Sequence, residues 1–341
     1  MEIVRTLGRS LTAIGATAGA IGLASASYQT WGSLRDRLRF LPPGELINIG
    51  GRRIHLWAWD IDSPGPTTVI VPSLGTSCLD FGGLRPALQA DDDEPVVIFD
   101  RAGLGWSDPV QGPQALLDAA ADLYRALLRA RIRPPYVLVG HSIGGYIVRL
   151  FASDHPEMVA GVVLLDSSHH DQFHRLPNYG AGNLRRYASE RVRPYGLIRL
   201  AHDLHLSDSL EVQARQRCPE VWTRTWAAIE LSDRHRRASL QELLTWPRLA
   251  KQVAMRAPSL GDIPLTVVSS SELSSDYVTP AQIAERRAMY KIWYPMQVEL
   301  AALSKDTRHL VAEQSGHYVH RFQPGLVADA ILGLVRRARS G

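Results

Sequence analysis

Apolar residues along this chain fall into two patterns. Thr67–Val71, Val96–Phe99, Tyr136–Val139, Val162–Leu165 and Leu265–Val268 are short apolar runs rich in β-branched residues. Runs of that length and content predict strands buried on both faces. His309–Ala312 reads as the last of them. Between the runs the spacing turns helical. Gln114–Arg131 places Leu116, Leu117, Ala120, Leu123, Leu127 and Leu128 on one side, and Phe81–Leu88 and Pro324–Val335 also read as helices. Doubly buried strands alternating with amphipathic helices predict an α/β fold, a mostly parallel sheet with helices on both faces. An opening hairpin, Leu46–Ile49, a Gly50-Gly51 turn and the alternating Arg53–Trp59, adds antiparallel strands at one edge.

The pattern breaks twice. From Ser168 to Pro258 no buried strand occurs, and helical stretches rich in Arg, His, Trp and Leu follow one another. An insertion there, after the strand that ends at Asp166, is expected to cover the strand ends as a helical lid. The expected organisation is an N-terminal segment 1–40, a core of 41–167 and 259–341, and a lid of 168–258. At the other break, Ser10 to Leu34 carries no charge, and Leu11–Ala26 is apolar or small. A membrane span needs about 20 such residues. A retained single anchor over residues 10–34 is expected. The alternatives are a cleaved signal with Ala24-Ser25-Ala26 as its site, which would give a secreted protein, and a soluble N-terminal helix. Arg5 and Arg9 flank one end and Arg35, Arg37 and Arg39 the other, so the side of the membrane is not fixed.

With 341 residues, 45% hydrophobic and 21% charged, the chain can bury one large core and a smaller accessory layer. The net charge of +4 is spread along the chain without a lysine-rich run, which argues against a nucleic-acid partner. The two cysteines, Cys78 and Cys218, are too few for a disulfide framework and match no metal spacing. Glycines follow the strand ending at Phe99, but Asp100–Asp108 lacks the phosphate-loop spacing. It reads as a structural turn with an Asp–Arg pair and with Trp106 near a pocket. In the cluster His169, His170, Asp171 and His174, only His170 and His174 share a helical face. Exposed lid histidines are expected there rather than a metal site. No cofactor and no metal are expected, and the oligomeric state is open.

The chemistry concentrates at Gly140-His141-Ser142-Ile143-Gly144, between a buried strand and a helix. A serine in that turn is held in a strained conformation with its Oγ above the sheet, and small residues are needed on either side. The Ile143 amide then points, at a helix N-terminus, to where an oxyanion would form. A helix N-cap is the ordinary alternative for Ser142. As nucleophile it needs a base oriented by a carboxylate. His317, in the loop between the last strand and the final helix, is the candidate base, with His320 beside it. Asp166, at the end of the strand after the elbow helix, is the first candidate acid. Asp276 is the alternative and Glu272 a third, both in the loop after Leu265–Val268. The Leu74 amide, after Thr67–Val71, is the second candidate oxyanion donor. Either acid preserves the chain order serine, acid, histidine.

The stretches "FDRAGLGWSDP", "PYVLVGHSIGGYIVRLFASDHPEMVAGVVLLDSSHHDQ" and "SGHYVHRFQP" resemble the α/β-hydrolase superfamily, in particular proteins with an N-terminal hydrophobic segment. The resemblance runs from about residue 45 to 337. It implies the α/β-hydrolase fold, Ser142 as nucleophile, His317 as base, and the Ile143 and Leu74 amides as oxyanion hole. Haloalkane dehalogenases and epoxide hydrolases carry aspartate at the nucleophile position, so Ser142 speaks against both. The expected function is a serine hydrolase acting on a small carboxylic ester or related acyl substrate. The alternative is a non-catalytic hydrolase-fold binder of an acyl ligand or partner.

Overall fold

A computed structural model of the chain describes residues 2–89, 94–110, 114–177, 179–192, 195–272 and 279–340. Eight strands form one sheet: β1 (Glu45–Asn48), β2 (Arg53–Trp59), β3 (Thr67–Val71), β4 (Val96–Phe99), β5 (Tyr136–His141), β6 (Val159–Leu165), β7 (Leu265–Ser270) and β8 (Thr307–Ala312). Their order across the sheet is β1-β2-β4-β3-β5-β6-β7-β8. The β1–β2 hairpin and the β2–β4 pair are antiparallel; from β4 to β8 every neighbour is parallel. The runs that form β3 to β7 are buried on both faces as read from the sequence, whereas β8 is an edge strand on which His309 and Leu310 are half-buried and Val311 is exposed.

Alternation along each strand feeds two cores. Val69, Val71, Leu138 and Leu164 face the helix Gly144–Asp154 and its Ile147, Leu150 and Phe151. Ile70, Val139, Val163 and Leu165 face the opposite side, against Val327, Ile331 and Val335 of the helix Pro324–Ser340. Each such side chain withdrawn from water contributes about 1.5–3 kcal/mol, and a sheet clad on both faces presents reactive groups only at its strand ends.

Residues 168–258 carry no strand among the described residues. The helices Tyr179–Val192, Tyr195–Asp203, Ser209–Arg217, Thr223–Glu230 and Asp233–Arg256 follow one another there. The last starts at Ser232, whose hydroxyl caps it by accepting from the His235 amide at 3.2 Å.

The N-terminal segment corrects an expectation. No helix among the described residues is long and apolar enough to cross a membrane, so the spanning segment proposed over residues 10–34 is not supported. Those residues belong to one 38-residue helix, Glu2–Arg39. Its Gly, Ala, Ser and Thr content keeps the mean hydropathy low, and its C-terminal half carries polar side chains committed to protein contacts. Arg199, fully buried on the helix Tyr195–Asp203, forms an ion pair with Asp36 and donates to Gln29 Oε1 at 3.0 Å. The Tyr28 hydroxyl donates to Asp203 at 2.8 Å.

Candidate active site

Ser142 sits at the junction of β5 and the helix Gly144–Asp154, with φ of +54°. A positive φ at a non-glycine residue is strained and needs support from its surroundings. The Ser142 amide donates to the Leu165 carbonyl of β6 at 3.1 Å, and its own carbonyl accepts from the Ser168 and Gly145 amides, each at 3.0 Å. The flanking glycines are steric requirements. A Cβ on Gly144 would lie 2.2 Å from the Val71 carbonyl oxygen, and one on Gly140 would lie 2.6 Å from Gly145 Cα.

Asp166 ends the next strand, also at positive φ (+36°), and is buried. Its Oδ2 lies 2.7 Å from His317 Nδ1. Its Oδ1 accepts from the Ser270 amide (2.9 Å), the Ser270 hydroxyl (2.9 Å) and the Trp293 indole N–H (2.8 Å). Arg286 in turn donates to the Ser270 hydroxyl at 2.7 Å. Burial alone would push the Asp166 carboxyl up. The hydrogen bonds from His317, Trp293 and Ser270 outweigh it and hold the group below its ordinary value. Of the alternative acids, Glu272 pairs with Arg287 at 2.7 Å, and Asp276 lies outside the described residues.

His317 is fixed from a second direction. His141 Nε2 lies 2.9 Å from the His317 carbonyl, and burial together with the His317 and His320 rings holds the His141 imidazole well below its ordinary value. His141 is therefore neutral and donates through Nε2. His320 stacks on Phe81 at 3.9 Å and is also held well below its ordinary value by burial and Arg321. It is a packed ring.

Ser142, His317, Leu74 and Gly75 all line one cavity of about 560 Å³ beneath the inserted helices. The Leu74 loop is clamped from two sides. Fully buried Arg101 donates to the Pro72 and Ser73 carbonyls, each at 2.6 Å, and pairs with Glu242 at 2.6 Å. Glu242, from the helix Asp233–Arg256, accepts the Gly75 amide at 2.9 Å, and His235 of the same helix contacts the Gly75 carbonyl at 2.9 Å. The inserted helix thus sets the shape of the loop. Two sequence readings change here. Arg101 pairs with Glu242, while Asp100 binds His55 Nδ1 at 2.8 Å. Trp106 is not among the residues lining the cavity; its indole N–H donates to the Phe40 carbonyl at 3.0 Å.

Two groups of possible ligand atoms lie within 4.8 Å of one another among the described residues, His55–Cys78–Asp100 and His169–His170–Asp171. Both are largely spent on internal bonds. Asp100 accepts the Cys78 amide at 2.7 Å as well as His55, and burial pushes the Cys78 thiol well up. His169 is buried rather than exposed, accepts the Asp171 amide at 3.2 Å, and lies 3.3 Å from Glu299.

The positions of Ser142, Ile143, Asp166 and His317 were legible because each follows a strand. Trp293, Arg286 and Glu242 have no such prominence in the sequence, which suggests Asp100 rather than Glu242 as the partner of Arg101. Trp293 sits in a largely apolar stretch, but Arg286 stands between Glu285 and Arg287 and carries no signal of its own.

A search of protein families matches residues 66–272 to the alpha/beta hydrolase fold family. An uncharacterized protein of Schizosaccharomyces pombe is 27% identical over 256 residues, which is 73% of this chain and 43% of that protein, so this chain spans less than half of its length. Among solved structures, an enol-lactonase from Burkholderia xenovorans superposes with a TM-score of 0.58 at 18% identity, over 86% of this chain and all of that one. A thermophilic esterase from Thermogutta terrifontis gives 0.54 at 17% identity, over 84% of this chain and 94% of that one. At these identities the structural likeness establishes the fold, and the family match over most of the sheet establishes the membership. The chain belongs to the alpha/beta hydrolase fold family, a membership that supports hydrolase activity.

Proposed function

We propose that this protein is a serine hydrolase that cleaves a small carboxylic ester, or a related acyl substrate, through an acyl-enzyme on Ser142. The observation that carries the reading is the pairing of a strained serine at a strand–helix elbow with a histidine in the same cavity, gripped by a buried carboxylate at 2.7 Å. His317 Nε2 takes the Ser142 proton as Oγ attacks the acyl carbon, while Nδ1–H stays bonded to ionised Asp166. The tetrahedral oxyanion is received by the Ile143 and Leu74 amides. His317 then returns the proton to the leaving group and activates water for deacylation. The inserted helices act as the lid. The likeness to an enol-lactonase and to an esterase supports this assignment.

A fluorophosphonate probe tests it directly. Wild-type protein is expected to label stoichiometrically and Ser142→Ala not at all. Folded wild type that stays unlabelled would favour the non-catalytic binder.

The pH dependence is a second check. Asp166 stays ionised well into acid because its carboxyl is held low, and His141 and His320 stay neutral because burial holds theirs low. None of these three groups then adds to the acid limb of kcat/KM, so log kcat/KM should fall with a slope no steeper than one. A slope of two would mean that two groups near the site titrate together.

A further inference from the structure

The cavity over Ser142 sets charged side chains among apolar ones such as Leu240, Leu243 and Trp246. Arg186, Arg217 and Arg236 line it together with Glu190 and Glu230. The carboxylates already have contacts: Glu190 accepts from the Tyr195 hydroxyl, and Glu230 lies 3.6 Å from His235. The guanidinium groups are held at longer range, Arg217 by Tyr318, Asp80 and Glu230 together. Asp80 lies 3.9 Å from Arg217 but is already held by Arg321 at 2.7 Å. Arg217 is fixed against the rings of Trp226 (5.3 Å) and Tyr318 (5.4 Å). Tyr318 is the residue after His317, and the two rings are 5.5 Å apart, so this guanidinium sits one ring away from the imidazole. Arg236 lies over Tyr195 at 4.4 Å, with Asp233 at 3.5 Å, and its buried Nε has no hydrogen-bond partner among the described residues.

Filling such a cavity with an alkyl chain would strip water from guanidinium groups and return nothing to them. A carboxylate would return charge and a geometry that matches the guanidinium fork. We propose that the cavity selects acyl substrates bearing a second, anionic carboxylate, with Arg217 as its anchor and Arg236 as a supporting cation. The proposal rests on the serine-hydrolase reading and names the substrate class of that same site.

The test uses the full chain and two matched pairs of substrates, mono-4-nitrophenyl succinate and glutarate against their neutral methyl esters. Wild type is expected to favour the anions by about tenfold in kcat/KM, mainly through KM, as a charge-assisted hydrogen bond permits. Arg217→Gln should bring that ratio close to one, whereas Arg215→Gln, on the same helix but not lining the cavity, should preserve it. Equal turnover of both members of each pair by wild type would overturn the proposal, as would a proportional loss on both in Arg217→Gln. Fluorophosphonate labelling keeps the two readings apart. Unlabelled Ser142 defeats the hydrolase assignment, while labelling without anion preference defeats only the substrate class. If neither pair turns over, protection of labelled wild type by free glutarate, and not by glutaramide, supports the anion site, and equal or absent protection rejects it.

Discussion

Asp166→Asn is expected to lower kcat about 10⁴-fold on any activated ester the enzyme accepts, with KM little changed. The effect follows from the two oxygens of the carboxylate. Oδ1 is saturated by Ser270 and Trp293, which leaves Oδ2 pointing at His317 Nδ1 at 2.7 Å. An asparagine obeying the same Oδ1 constraints would place an NH₂ at the Oδ2 position. That amide can only donate, so it forces His317 into the tautomer whose proton lies on Nε2. The imidazole could then no longer accept from Ser142. The substitution is nearly isosteric, and a circular dichroism melt separates loss of catalysis from loss of fold. Asp276→Asn is the companion measurement. A loss of that size at Asp276, with a mild effect at Asp166, would move the acid to the loop after β7.

The degree to which the sequence revealed this site tracks the distance over which its parts are fixed. Ser142 and Ile143 were readable because their constraints are local: a strand, two glycines that cannot carry a Cβ, and a helix. Asp166 and His317 were readable as strand-end positions, since a parallel sheet clad on both faces gathers its strand ends on one side. What held them in place was not. Trp293 reaches Asp166 from 127 residues away, and Arg101 reaches Glu242 across 141. No periodicity records such pairs, because a single buried indole or guanidinium occupies one position on an otherwise ordinary helix or turn. The N-terminal helix failed for a related reason. Absence of charge over Ser10–Leu34 looks the same whether the helix meets lipid or protein. The distinguishing features were small residues permitting close approach. A Cβ on Gly196 would lie 2.0 Å from the Ser25 carbonyl oxygen, and one on Gly32 would lie 2.4 Å from Arg199 Cδ.

Removing residues 1–39 is therefore expected to destabilise the folded enzyme, whereas removing 1–20 should leave its melting midpoint nearly unchanged. The longer deletion takes away Asp36 and Gln29 together with the helix face that covers Arg199, which opens its guanidinium to solvent with the Leu231 carbonyl at 3.1 Å among its remaining partners. In the full chain, where Arg199 stays buried, removing Asp36 alone costs roughly 3–5 kcal/mol, because the charge left behind stays desolvated. In a chain of this size that corresponds to a drop of roughly 5–15 °C in Tm. The shorter deletion stops before Ser25 and touches none of these contacts. If the long deletion proves insoluble, Asp36→Ala in the full chain leaves that guanidinium unpaired and should show most of the loss by thermal denaturation. Arg199→Met supplies the sign check. With the buried charge gone there is nothing left to strand, so adding Asp36→Ala to Arg199→Met should cost far less than Asp36→Ala alone. Equal costs in the two backgrounds would mean that the ion pair contributes nothing. Helix Glu2–Arg39 would then be held to the inserted helices by its other contacts, the Tyr28–Asp203 hydrogen bond among them.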